Sequence, residues 1–198
     1  MSLSESKERM LAAAKALMLA QGYGGTTVDA ICEKAGLTKG SFYHFFKSKE
    51  DLGLAVLEWS LTKGGKLLSE GPHAAIADPV ARAFGFLDHV EACGAELWSE
   101  GCLLGTYASE LASTNDRVQA TVARMFREVG AYFSSELAPL VGAAPKGSLP
   151  DAEALGEQFL ALLEGAIILG KAYRDPARIR VAVQGFRENM QRALALPV

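Results

Sequence analysis

The segment "TKGSFYHFFKSKEDL", residues 38–52, carries the side chains of this sequence best suited to hold a polyanion. Between Thr38 and Lys49 it places Lys39, Lys47, Lys49 and His44 among four aromatic rings, with no carboxylate. Ammonium groups without a competing acid suit a phosphate-bearing partner, because each phosphate they neutralise releases a condensed counterion. The rings of Phe42, Tyr43, Phe45 and Phe46 do not suit a solvated loop, so the segment needs a scaffold that buries some of them. Catalytic chemistry has no comparable set. An enzyme would show paired carboxylates in apolar surroundings, a Ser or Cys beside a His, or metal-ligand spacing. His44 and His73 lie in or near the basic end, His89 stands alone, and neither HExxH nor Glu-x-x-His occurs. Cys32, Cys93 and Cys102 are odd in number and form no metal-binding cluster with the histidines, so no metal or cofactor is expected and the thiols are expected to be reduced. The glycines of "QGYGGTT", residues 21–27, follow a helical pattern rather than a strand, which makes them a helix stop and turn rather than a phosphate loop.

These residues sit in a chain of 198 residues, 49% apolar and 22% charged, which is a globular composition. Apolar runs are short, as in "AIILG" at 166–170, so no membrane span is expected. The polar start "MSLSESKERM" has no signal-peptide character, and a cytoplasmic location is the expectation. The net charge of −3 hides an asymmetry. Residues 1–50 hold seven Lys/Arg against five Asp/Glu, and the remainder holds thirteen against eighteen. A basic end on an acidic body points to one end meeting the polyanion.

The elements that must position this end are helical. Residues 4–21 are rich in Ala, Leu, Met and Lys and stop at Gly22. "TTVDAICEKAG" opens with Thr26 three residues before Asp29, a capping box with Asp in place of Glu, and ends at Gly36. Thr38 begins a third, short helix, and Ser48 to Asp51 caps a fourth that runs toward Leu68. Asp78-Pro79 and Asp175-Pro176 each read as an N-cap followed by proline at the first helical position. A long helix starts near Thr114-Asn115, and "VGAAPKGSLP" at 141–150 separates it from the last two. No β-alternation or repeat is present, so the fold class is all-α with about nine helices. The expected organisation is an N-terminal unit, 1–48, and a larger helical unit, 49–198.

Three short helices with a tight "AGLT" turn between the second and third have the layout of a helix-turn-helix. Phe42 and Phe46, four apart on the third helix, share its inward face, while Lys39 and Tyr43 share another beside Gly40, Ser41 and His44. That second face is small, polar and cationic, as entry into a major groove requires. "TTVDAICEKAGLTKGSFYHFFKSKEDL" resembles the DNA-binding segment of the TetR family of bacterial transcription regulators, over residues 8 to about 54. Cys32, where the family usually has a small Ala, and Phe45, where it often has His, are departures. The resemblance implies that Thr27, Lys39, Tyr43 and Lys49 hold phosphates of double-stranded DNA. It places Thr38, Gly40, Ser41 and His44 at or near base edges.

The resemblance also implies a homodimer on a palindromic operator, with C-terminal helices at the interface and a small-molecule effector pocket in the middle helices. "EQFLALLEGAIILGKAY", 157–173, is apolar nearly all round and must be covered on more than one side. Phe159, Leu163 and Ile167 on this helix, with Phe186 and Met190 on the amphipathic last one, are the expected interface. Rings and polar tips at helical spacing (Phe84, Leu87, His89, Trp98, Tyr107, Phe126 and Tyr132) are candidates to line the pocket. "SEGCLLGTYASELAST", 99–114, resembles a subgroup with a Gly-Cys-Leu segment, some of whose members respond to electrophiles or oxidants. Cys102 is then the expected sensor, at a helix start whose free amides favour a thiolate, with Lys171 as its expected cation. The functional expectation is a repressor released by a ligand or an electrophile. The competing class is a helical-bundle small-molecule-binding protein or enzyme whose N-terminal segment is only structural.

Overall fold

The computed structural model describes residues 3–196, with side chains from residue 5. Its elements are α1 (Leu3–Gln21), α2 (Val28–Ala35), α3 (Lys39–Phe45), α4 (Lys49–Ser69), a 3₁₀ turn (Pro72–Ala75), α5 (Pro79–Trp98), α6 (Leu103–Leu111), α7 (Asp116–Ala143), α8 (Ala152–Tyr173) and α9 (Ala177–Ala193). Among the described residues these are nine α-helices and no strand. Short polar side chains start most of them by accepting an orphan amide. Ser48 Oγ accepts from Asp51 N at 3.1 Å, Asp78 Oδ1 from Ala81 N at 2.7 Å, Asn115 Oδ1 from Val118 N at 3.0 Å and Asp151 Oδ1 from Ala154 N at 2.9 Å.

Two caps differ from the sequence reading. Helix α2 is capped by Thr27, whose hydroxyl accepts from Ala30 N at 3.2 Å; Thr26 is buried and donates to Gly22 O at 2.7 Å. Helix α9 starts one residue late, at Ala177, although Asp175 Oδ1 still accepts from its amide at 3.1 Å. No helix among the described residues is long and apolar enough to cross a membrane.

The chain packs as two compact units. The first joins the chain up to Lys63 to Cys102–Met125, and the second joins Gly64–Gly101 to the chain from Phe126 on. This discontinuous division differs from the expected break after residue 48. The reason is burial. Met10, Ala14, Met18, Ile31 and Phe42 are fully buried, and Leu52, Val56, Leu57, Tyr107 and Val118 are at most 1% exposed. Three helices of this size cannot enclose their own apolar side chains. The first turns of α4, with α6 and the start of α7, complete their core.

In the second unit a chain of rings forms the core. Phe86 meets Phe133 at 5.9 Å between centroids, Phe133 meets Phe159 at 5.2 Å, and Phe159 meets Phe186 at 4.7 Å. The five residues expected at a dimer interface (Phe159, Leu163, Ile167, Phe186 and Met190) are between 0 and 6% exposed within the single chain. They pack inside their own chain, which leaves them little surface to offer a partner. The apolar residues that α8 and α9 leave in water are others: Ile168, Leu169, Tyr173 and Val181, 45 to 63% exposed.

Candidate nucleic-acid interface

The turn from α2 to α3 is fixed from three sides. Gly36 adopts the left-handed conformation (φ 62°) and its amide closes on Cys32 O and Glu33 O. The Arg9 guanidinium from α1 donates to Ala35 O, satisfying a third terminal carbonyl of α2. The left-handed backbone at Gly36 favours glycine, and a Cβ there would lie 2.8 Å from Arg9 Nη2 and push the guanidinium aside. Thr38 then caps α3, its Oγ1 accepting from Ser41 N at 3.2 Å and lying 3.1 Å from Ser41 Oγ. Phe42 and Phe46 turn inward, 0 and 6% exposed, with ring centroids 5.9 Å apart.

With those rings anchored, the other face of α3 is presented to solvent. Lys39, Gly40 and His44 are exposed, Tyr43 is 62% exposed, and Ser41 is half-buried. Thr27, at the start of α2, is exposed beside its capping role. Lys39 Nζ holds Asp29 Oδ1 at 2.7 Å, which raises the ammonium pKa, first through the hydrogen bond and then through the charge. Cys32, buried behind this face, has its thiol pushed up by burial and then by Asp29.

Lys49 is placed differently from its expected phosphate role. Its ammonium donates to Tyr23 O and to Thr26 O, both at 3.0 Å, and sits 4.2 Å from the centroid of the Tyr23 ring. Two of its three N–H bonds point into the protein, so it ties α4 to the α1–α2 turn. Lys47, just before it, is the exposed lysine at this end of the interface. The acids that follow are already engaged. Glu50 accepts from Arg117 at 3.0 Å and Asn115 at 2.8 Å, and Asp51 accepts from Arg117 at 3.3 Å.

Glu110, on α6, was invisible to local sequence reasoning. Its carboxylate accepts from the amides of Tyr23 and Gly24 at 3.1 and 2.9 Å, filling the glycine-rich turn with an anion of the chain's own. "QGYGGTT" offers such amides, but the partner lies more than eighty residues away in the sequence. Beside it Tyr107 meets Tyr23 edge-on at 5.3 Å and donates to Met18 Sδ at 3.1 Å. Burial pushes the Tyr107 phenol far above its ordinary value. The turn in front of α2 is therefore held by α6 and α4 together.

The expected effector residues are divided between the units. Tyr107 is core in the first, 1% exposed. Cys102, also in the first, is the N-cap of α6; it is half-buried, with Sγ 3.5 Å from Gly105 N. Trp98 and Phe126 belong to the second unit and are half-buried, and Lys171 is exposed in the last turn of α8. No group of three or more potential metal ligands occurs among the described residues.

Residues 10–56 match the family model for bacterial regulatory proteins of the tetR family. Residues 79–184 match the model for the C-terminal domain of LmrA/YxaF-like transcriptional regulators. The transcriptional regulator AcuR of Cereibacter sphaeroides is 32% identical over 168 residues, 79% of this chain and 72% of that protein. The HTH-type transcriptional repressor DhaR of Mycobacterium sp. (strain GP1) is 29% identical over 161 residues, 80% of this chain and 79% of its own length. Among solved structures, a regulatory protein TetR from Rhodobacter sphaeroides superposes with a TM-score of 0.79 at 27% identity, covering 92% of this chain and 97% of that one. An N-terminal helix-turn-helix with an exposed cationic face, a larger helical unit and these relatives agree: the chain belongs to the TetR family and is a DNA-binding transcriptional regulator.

Proposed function

We propose that this regulator is a cytoplasmic repressor that binds an inverted-repeat operator as a homodimer and leaves it when a small molecule binds the second unit. The observation that carries the reading is the outer face of α3, exposed, carrying no carboxylate of its own and held by caps at both of its flanking turns, with Lys39 paired to Asp29 of α2. On it, Lys39 and Tyr43 reach phosphates with Thr27, and Gly40, Ser41 and His44 approach base edges with Thr38. Lys47 takes the phosphate role expected of Lys49, and Lys49 positions the turn. DNA contacts thus stay within the first 48 residues, even though the unit that carries them is larger. Relatives named as repressors, DhaR among them, favour repression.

Two short recognition helices must reach successive major grooves together, which calls for a dimer. The exposed stripe of α8 and α9 suits it. Ile168, Leu169 and Tyr173 lie on α8 with Gly165, and Val181 lies on α9 with Gly185. Neither glycine has a neighbour within 4 Å of a would-be Cβ, leaving room for a partner's backbone. The test is selection from a duplex library with a random core. The expected product is an inverted repeat with half-sites about ten base pairs apart, or a multiple of it; enrichment of one asymmetric half-site contradicts the dimer.

A second mode of release is favoured by one observation. Cys102 is the least buried of the three thiols, whereas Cys32 and Cys93 are buried and burial raises both. If thiol modification releases DNA, N-ethylmaleimide dissociates wild type from the selected duplex and leaves Cys102→Ser bound. Equal release of both makes Cys102 a packing residue.

A further inference from the structure

An acid reaches the outer face of α3 from the neighbouring helix. Asp29, in the first turn of α2, engages Lys39 Nζ with Oδ1 at 2.7 Å, and the two side chains are 67% and 62% exposed. Lys39 is the first residue of α3, and the N-terminal residues of a recognition helix are those that meet base edges. The Asp29 carboxylate is thereby brought to the end of α3 that reads sequence. Helix α2 does not need it as a cap, because Thr27 accepts from Ala30 N at 3.2 Å. An ion pair this exposed adds little to stability. Nor does it occupy Lys39, since an ammonium has three N–H bonds and keeps two for a phosphate. Among the described residues no donor engages Asp29 Oδ2, so the carboxylate keeps an acceptor for a partner. A carboxylate that only faced phosphates would weaken binding to every sequence alike.

We propose that Asp29 is a specificity-determining residue, its carboxylate accepting from the exocyclic amino group of one cytosine in each half-site. This rests on the reading of α3 as the helix that enters the major groove. The chemistry selects the base. An ionised carboxylate only accepts, and in the major groove cytosine offers the N4 amino donor. Guanine N7 and O6 and thymine O4 are acceptors and repel it. Adenine has an N6 donor, but the N7 acceptor beside it suits an amide, which both donates and accepts. Lys39 supports the contact from the other side. Its ammonium fixes Oδ1 and offsets the charge of the carboxylate, so an acid approaches the polyanion at lower electrostatic cost.

The test is the random-core duplex selection, run in parallel with full-length wild type, Asp29→Ala and Ser41→Ala/His44→Ala. Wild type is expected to enrich one cytosine per half-site that Asp29→Ala no longer selects, with the other positions kept. On the wild-type operator and a scrambled duplex, Asp29→Ala is expected to lower the preference for the operator about tenfold. Its affinity for the scrambled duplex should stay the same or rise, because a negative charge has gone. Preference is a ratio within one protein, so any change in the fraction folded cancels from it. The same motif from wild type and Asp29→Ala, or a changed position that is not cytosine, overturns the proposal. So does a tighter hold on both duplexes by an equal factor, in which case the acid only repels DNA. A wild-type motif altered by Ser41→Ala/His44→Ala but not by Asp29→Ala sinks only this inference, whereas one altered by neither sinks the reading of α3 as well.

Discussion

Lys49 and Lys39 show how far a residue's role can be read from its type. Both are lysines at helix starts in a basic segment, and sequence alone gives both to phosphates. The fold separates them, because only Lys49 lies within reach of the carbonyls of Tyr23 and Thr26, each at 3.0 Å. Lys49→Ala should therefore lower the midpoint of thermal unfolding, through loss of about 1–3 kcal/mol of charged hydrogen bonding. The salt slope of DNA binding should stay the same. Lys39→Ala should lower that slope by about one unit with little effect on stability. Anisotropy titrations at several salt concentrations, paired with melting curves, distinguish them; a slope lost with Lys49 returns that residue to the phosphates. Caps and anchors were mostly legible at this scale where the partner lies within four residues, as with Thr38 and Ser41. Thr26 was misread for Thr27 because two adjacent threonines offer the same hydroxyl, and only the backbone decides which one faces the amides.

At the scale of elements, helices were legible from their stops and caps, and every helix expected from residue 4 to the last is present. What holds one helix against another was not, since contacts such as Glu110 to Tyr23 and Gly24 depend on how the chain returns. That contact yields a test of coupling. Gly22 has φ +80°, and a Cβ there would sit 2.4 Å from Glu110 Oε1. Gly22→Ala should then destabilise by more than about 1 kcal/mol, through backbone strain and displacement of the carboxylate. Glu110→Ala removes two amide partners and should cost about 1 kcal/mol. Urea unfolding of the double variant should show a loss smaller than the two single losses combined, because the clash needs both side chains. Additive losses would mean that the carboxylate does not hold this turn.

For the whole molecule, the apolar faces of the last two helices were legible, and which of their residues the chain itself covers was not. Apolar periodicity marks which residues leave water, yet cannot say whether the subunit or a partner covers them. Leu163 and Phe186 are covered by their own chain, so Leu163→Glu should unfold the protein, a charge being buried without a partner. Leu169→Glu and Val181→Glu, on the exposed stripe, should instead give folded monomers with unchanged helical circular dichroism and weakened operator binding. Sedimentation velocity separates these outcomes, and dimers from both stripe variants would move the interface elsewhere. The central claim is that the outer face of α3 reads DNA sequence. Its most direct test is the ratio of affinities for the selected operator and for a scrambled duplex, at one salt concentration, for wild type and for Ser41→Ala/His44→Ala. Wild type should favour the operator by about a thousandfold or more. The variant should lose about 1–3 kcal/mol of that preference for each base contact removed, while its affinity for scrambled DNA stays the same. A variant that keeps the full preference, or loses both affinities equally, would contradict the assignment of sequence reading to this helix.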